Sequence, residues 1–174
     1  MEPRELSLEL RRGDNPDLSR RRLITGLSVL GATMAEAVSL YQIGAVKELP
    51  DLPLPGIDSN KVDASDYAYS VLDTPDGFFM LVNYSITALL AGAGTANRAK
   101  DAPWLPIAMS GKTLMDSIFA LRLARIEWRD NEAFCAYCQV ATLCSIASFL
   151  LSIPEASRAF QFLMGKGDVD IAQR

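Results

Sequence analysis

Four long apolar stretches set the rhythm of this chain, and polar segments divide them. Leu23 to Val46 carries one charge, Glu36; Gly77 to Asn97 and Ala133 to Ile153 carry none; Ala102 to Leu121 carries Lys112 and Asp116. Each is about 20 residues, the length a helix needs to cross the hydrocarbon of a bilayer. Lys112 and Asp116 are four apart, so they share a helix face and neutralise each other. They read as a helix-packing pair ahead of an element of a quinone site or proton path. The pattern predicts an all-α fold, an integral membrane four-helix bundle. An apolar share of 49% and a mean hydropathy of +0.13 fit this once the polar segments Met1 to Arg22 and Lys47 to Asp76 are set apart.

The segment between the first two stretches is too long for a hairpin. Leu49-Pro50-Asp51-Leu52-Pro53-Leu54-Pro55 is stiff and extended, because proline fixes its own φ and disfavours helix before it. Ser65 is placed to cap a short helix over Tyr67 to Leu72, and Thr74-Pro75-Asp76 leads into the second stretch. The segment is acidic, with Asp51, Asp58, Asp63, Asp66, Asp73 and Asp76, and its tyrosines favour docking. It is expected to cap the outer mouth of the bundle.

Charge orients the bundle. With four spans, both termini share a side, which carries eleven Lys and Arg (Arg4, Arg11, Arg12, Arg20, Arg21, Arg22, Arg98, Lys100, Arg158, Lys166 and Arg174). The other side carries five: Lys47, Lys61, Arg122, Arg125 and Arg129. The positive-inside bias puts both termini in the cytoplasm. The expected layout is a polar cytoplasmic extension (1–22), mobile over Met1 to Asp17, a membrane domain (23–163) and a cytoplasmic tail (164–174). Leu18-Ser19-Arg20-Arg21-Arg22-Leu23-Ile24 also looks like a twin-arginine export signal, with Ala35-Glu36-Ala37 as a cleavage site. That alternative is a soluble periplasmic helical domain; the later uncharged stretches favour the uncleaved, multi-pass reading.

The chemistry is narrow. Without histidine, Ser-His-Asp and Cys-His catalysis and His-bearing metal sites are excluded. Three cysteines fall short of a four-cysteine zinc site, so no metal is expected. A net charge of −4 and a pI near 4.9 give no footprint for nucleic acid. Cys135-Ala136-Tyr137-Cys138 opens the fourth stretch. Two thiols at this spacing on a first helical turn can close into a disulfide, and the helix N-terminus favours a thiolate. Redox exchange with a membrane-soluble carrier such as a quinone and plain packing of small side chains both suit the spacing. The charge count puts the pair on the outer face, where disulfides are made. Arg125 and Arg129 lie upstream, placed to lower a thiolate pKa or to anchor the helix. Cys144, deeper in the run, is expected to pack.

Four spans, a cap between the first two and a Cys-x-x-Cys opening the last resemble the vitamin K epoxide reductase family and its bacterial quinone-linked homologues. The resemblance covers roughly Arg22 to Leu163. Ser59-Asn60-Lys61-Val62-Asp63-Ala64-Ser65 is similar to the family's loop motif Cys-x-x-Val-x-x-Ser, with Val62 and Ser65 in register, and Thr74-Pro75-Asp76-Gly77 is similar to the turn that starts its second span. The resemblance implies a bacterial plasma-membrane protein whose bundle encloses a quinone of ubiquinone or menaquinone type. Cys135 and Cys138 would be the catalytic pair, and Asp76 and Thr142 would stand at the quinone-contacting positions. Lipid and a thioredoxin-like or other thiol protein are the implied partners.

The chain departs from the family at the electron supply. The loop cysteines would fall at Ser59 and near Asp51, and neither is cysteine; no thioredoxin-like domain follows in this chain. One reading is a quinone-linked oxidoreductase in which a partner thiol reaches Cys135 directly, with Cys138 resolving and reducing quinone. A second has the pair reduce or sense quinone in another pathway. A third is a catalytically inactive binding or assembly subunit of a membrane complex.

Overall fold

The structure is a computed structural model that describes residues 2–165; Lys166 and Arg174 of the charge count, and residues 166–174 of the expected tail, lie outside the described residues. The described chain is helical, with isolated β-bridges in place of strands. Helix α1 (Pro3–Arg12) opens with a capping box between Glu2 and Glu5. Helix α2 (Pro16–Gln42) starts at Pro16, and the Asn15 side chain accepts from the Asp17 N–H at 2.8 Å. The pairing of N-cap Asn with Pro at N1 begins the helix seven residues before the apolar stretch does.

That early start changes the expected polar extension. Asp17, Leu18 and Arg21 are buried, and Arg21 donates to the carbonyls of Ala91, Ala93 and Thr95, each at 2.8 Å. Residues 16–22 are therefore part of the helical body. Cleavage after residue 37 would remove most of a helix that packs along two others.

The cap holds α3 (Ser59–Asp63) and a 3-10 turn over Asp66–Tyr69, shorter than the helix expected over Tyr67 to Leu72. Ser65 stands before that turn, but its side chain makes no capping bond there. Helix α4 (Asp76–Gly92), short α5 (Arg98–Asp101), α6 (Trp104–Asn131) and α7 (Ala136–Leu163) complete the chain. Helix α7 continues through Pro154, past the end of its apolar run.

Helix α2 packs along α4 and α7, and α7 also packs along α6; α4 and α6 meet far less closely. Two close approaches need glycine. A Cβ on Gly31 would stand 2.5 Å from the Tyr84 ring, and one on Gly77 would stand 2.6 Å from Ser39 Oγ. Three apolar clusters form the core: Val38, Leu49, Val62, Ala133 and Cys135 near the cap; Tyr84, Ala141 and Cys144 in the middle; Ile24, Ala91 and Met109 at the far end. Cys144 packs as expected. Buried Ser28, Ser39, Thr113 and Ser117 turn their hydroxyls back to the carbonyl four residues earlier, so small polar side chains sit inside without orphaned donors.

Helices α2 and α7 are long and apolar enough to cross a membrane. Helix α4 has 17 residues, or about 25 Å at 1.5 Å per residue. In α6 the Lys112 ammonium bonds Asp116 at 2.6 Å and the Asn83 carbonyl of α4 at 2.7 Å. The expected pair forms, and it ties two helices together.

Candidate active site

The site is built around the start of α7. Cys135 is its N-cap, and its sulfur accepts from the Cys138 N–H at 3.1 Å. The neighbouring N–H groups are met from elsewhere. Glu127 of α6 accepts from Cys135 N–H at 3.2 Å and from the Gln139 amide at 3.0 Å, and Ser59 Oγ accepts from Ala136 N–H at 2.9 Å. Side chains thus meet the N–H groups of Cys135, Ala136 and Cys138, the last through the Cys135 sulfur itself.

The cap is fastened over this turn. Ser59 donates its N–H and its hydroxyl to Asp51, at 2.7 and 2.6 Å. Asn60 exchanges two bonds with the Leu49 backbone, at 2.8 and 3.0 Å, and the Tyr137 hydroxyl donates to Pro50 O at 2.9 Å. Ile57 and Phe134 form a parallel bridge. Beneath this cover Cys135 is 0% exposed. Of the pair, Cys138 is the residue that is only part-buried and that borders open space.

Asp63, the last residue of α3, is 2% exposed and faces both thiols. Cys135 Sγ donates to one carboxylate oxygen at 3.1 Å, and Cys138 Sγ to the other at 3.8 Å. A carboxylate oxygen and the two sulfurs lie within 4.8 Å of one another. Burial pushes the Asp63 carboxyl up to about 7; the Cys135 bond opposes that rise, and the charges of Asp76 and Glu127 add to it.

A cavity of about 510 Å³ opens beside the pair, between α4, α6, α7 and the cap. Its walls are largely apolar, with Phe79, Met80, Phe119, Leu123 and Ile126. Its polar lining includes Asp63, Asp76, Asn83, Tyr84, Arg122, Glu127 and Thr142.

Of the residues singled out from sequence, Cys138, Asp76, Thr142 and Ser65 line this cavity. Cys135 stands behind Cys138, and Ser59 supports the turn from the cap side. Asp76 accepts from the Gln42 amide at 2.7 Å, and the Thr142 hydroxyl donates back to Cys138 O at 2.8 Å. Arg125 and Arg129 do not reach the thiols: both are exposed, and Arg129 bonds Asp130 at the surface. Acidic groups surround the thiols instead. Sequence reading missed Asp63, Glu127 and Tyr84 as site residues. A signal existed for Asp63 alone, which lies four residues after Ser59 and so on the same helical face.

A long apolar helix opened by a dithiol, beside a largely apolar cavity, defines a membrane-helix thiol protein. The chain belongs to the vitamin K epoxide reductase family, whose model matches residues 22–153. With two helices able to cross a bilayer, it is a membrane protein. No curated protein matches it.

Proposed function

We propose that the protein is a quinone-linked thiol oxidoreductase of the bacterial plasma membrane. In this reading α2, α4, α6 and α7 all span the bilayer, the termini are cytoplasmic and the cap is outside. One observation carries the proposal: Cys138 lies on the wall of an apolar cavity, with Cys135 one turn away behind it. The cavity suits a quinone of ubiquinone or menaquinone type. Thr142 has a hydroxyl near Cys138, and Asp76, if protonated, can donate to a quinone oxygen. In the reaction the two thiols lose two electrons and two protons and join as a disulfide, while the quinone gains both pairs and leaves as hydroquinone.

The thiol donor must reach the pair without a loop relay. Asp51 and Ser59, the positions where the family resemblance expects cysteines, are joined by hydrogen bonds. This pair can fasten the cap but cannot carry electrons. A donor thiol therefore exchanges at Cys138 through the cavity, or at Cys135 once the cap lifts. The same observation supports a second reading, a binding or assembly subunit that has lost turnover.

Mass-shift alkylation of Cys135 and Cys138 in isolated membranes tests the choice. A pair reduced in quinone-depleted membranes and oxidised after quinone is restored supports the enzyme. A pair locked in one state under both conditions rejects it. In that case a Cys135→Ala, Cys138→Ala chain that still copurifies with its membrane partner supports the subunit reading. Replacing Asp51→Cys and Ser59→Cys together is expected to create a loop disulfide that exchanges with Cys135, visible as an added mass shift.

A further inference from the structure

Most buried charges in this molecule have an evident structural task. Arg21 and Arg98 hold the end of α4, Glu155 answers Arg98, and Lys112 ties α6 to α4. Asp63 is different. Its backbone is fixed, because α3 is capped by the Asp58 side chain at 2.9 Å and the Asp63 carbonyl accepts from the Gln42 amide at 3.4 Å. Among the described residues, no cation pairs with its carboxylate, and the two thiols are its hydrogen-bond donors. A buried carboxylate kept for stability is normally met by a cation or by backbone N–H groups.

We infer that Asp63 is a catalytic residue, the carboxylate that takes the thiol proton as Cys135 and Cys138 close into a disulfide and passes it to the cavity. This rests on the oxidoreductase reading above and adds to it the route of the proton. Each carboxylate oxygen faces one sulfur, so either thiol can transfer without a change of position. Asp63 also lines the cavity, so the accepted proton leaves toward the quinone oxygen. Electrons and protons balance: two thiol protons and two electrons leave the sulfurs, and both pairs appear on the hydroquinone. Asp63 relays one proton at a time and ends each cycle as it began.

The groups that tune it come from several elements. Cys135, Cys138 and Tyr137 face it from α7, Glu127 from α6, Asp76 from α4 and Tyr69 from the cap. None is a cation, so burial, with Asp76 and Glu127 adding to it, holds the carboxyl near the pH at which a base both accepts and releases a proton.

The test uses the full chain, purified, reduced, and mixed in single turnover with a short-tailed ubiquinone analogue or with diamide, a thiol oxidant that needs no quinone site. Rates are read by quenched alkylation from about pH 5 to about pH 9. Wild-type rates should climb through about pH 7 and level off. Asp63→Asn should be slower by about 100-fold in both arms and lose that inflection. Asp63→Glu should regain much of the rate and the inflection. Wild-type rates and pH profile in Asp63→Asn, or equal loss in both variants with no inflection, would overturn the assignment. A wild type inert to quinone whose diamide reaction still depends on Asp63 rejects the quinone reading and keeps the proton route.

Discussion

The two ends of the helical body treat buried charge in opposite ways. At one end Arg98, 0% exposed, grips Glu155 with two bonds of 2.9 and 2.8 Å, and Arg21 seals the carbonyls that end α4. Asp17 is met there by Arg20 and Arg158. At the other end Asp63, Asp76 and Glu127 are held by thiols, amides and backbone N–H groups, and no described ion pair reaches them. Paired charges lock a structure because removing either partner strands the other. Carboxyls held only by neutral groups can gain or lose a proton without losing a partner. The first end is built to stay fixed and the second to titrate.

The largest effect should come from breaking the locked end. Arg98→Met leaves Glu155 buried alone and should cost about 3–5 kcal/mol, read as thermal unfolding in detergent. Adding Glu155→Leu should restore most of it. A single variant that melts like wild type would show that this pair is not the lock.

At the other end the expected effect depends on pH. Asp63 ionises near 7 in the fold and near about 3.9 in an unfolded chain. Below about pH 4 its carboxyl is neutral in both states and costs nothing. From about pH 4 to about pH 7 the unfolded chain ionises and the folded one resists, so this contribution is lost by the time pH passes 7, by on the order of 4 kcal/mol. The stability of wild type minus that of Asp63→Asn should therefore fall between about pH 4 and about pH 7 and level off above. A constant difference would mean that Asp63 ionises normally and that the contrast between the ends is false.

Two smaller tests probe the framework under the thiol site. Gly77→Ala places a Cβ 2.6 Å from Ser39 Oγ and 2.9 Å from Gln42 Oε1, and should cost about 1–3 kcal/mol. Gly92→Ala meets nothing within 4 Å and should be neutral or slightly stabilising in the same melts. The smallest loss should be Ser59→Ala, which removes bonds to Asp51 and Ala136, at about 1 kcal/mol. Faster alkylation of Cys135 in that variant would show that the Asp51–Ser59 pair holds the cap shut; an unchanged rate would leave that task to Asn60 and Tyr137.

Helix positions were legible because hydropathy is local, while helix ends were less so. The apolar run starting at Leu23 belongs to a helix that begins at Pro16, and the run ending at Ile153 belongs to one that reaches Leu163. In both cases charged residues continue the helix into the body because distant partners meet them: carbonyls of α4 for Arg21, Arg98 for Glu155. Hydropathy ends where charge begins, but backbone hydrogen bonding does not. The Cys-x-x-Cys stood out by spacing alone. Asp63 looked like one more acidic residue of a polar loop.

By itself the sequence determined a helical chain with apolar runs of membrane length, a dithiol at the head of one of them and a loop without cysteines. Periodicity, composition and spacing act through neighbours along the chain, so they can be read from order alone. Only the tertiary structure decided which sulfur meets the cavity, that Asp51 and Ser59 join, and that a loop carboxylate lies against both thiols. Those facts depend on burial and on contacts across as many as 75 residues, as from Cys138 to Asp63. A polar side chain's chemistry follows from the groups that replace its water, and packing alone chooses them.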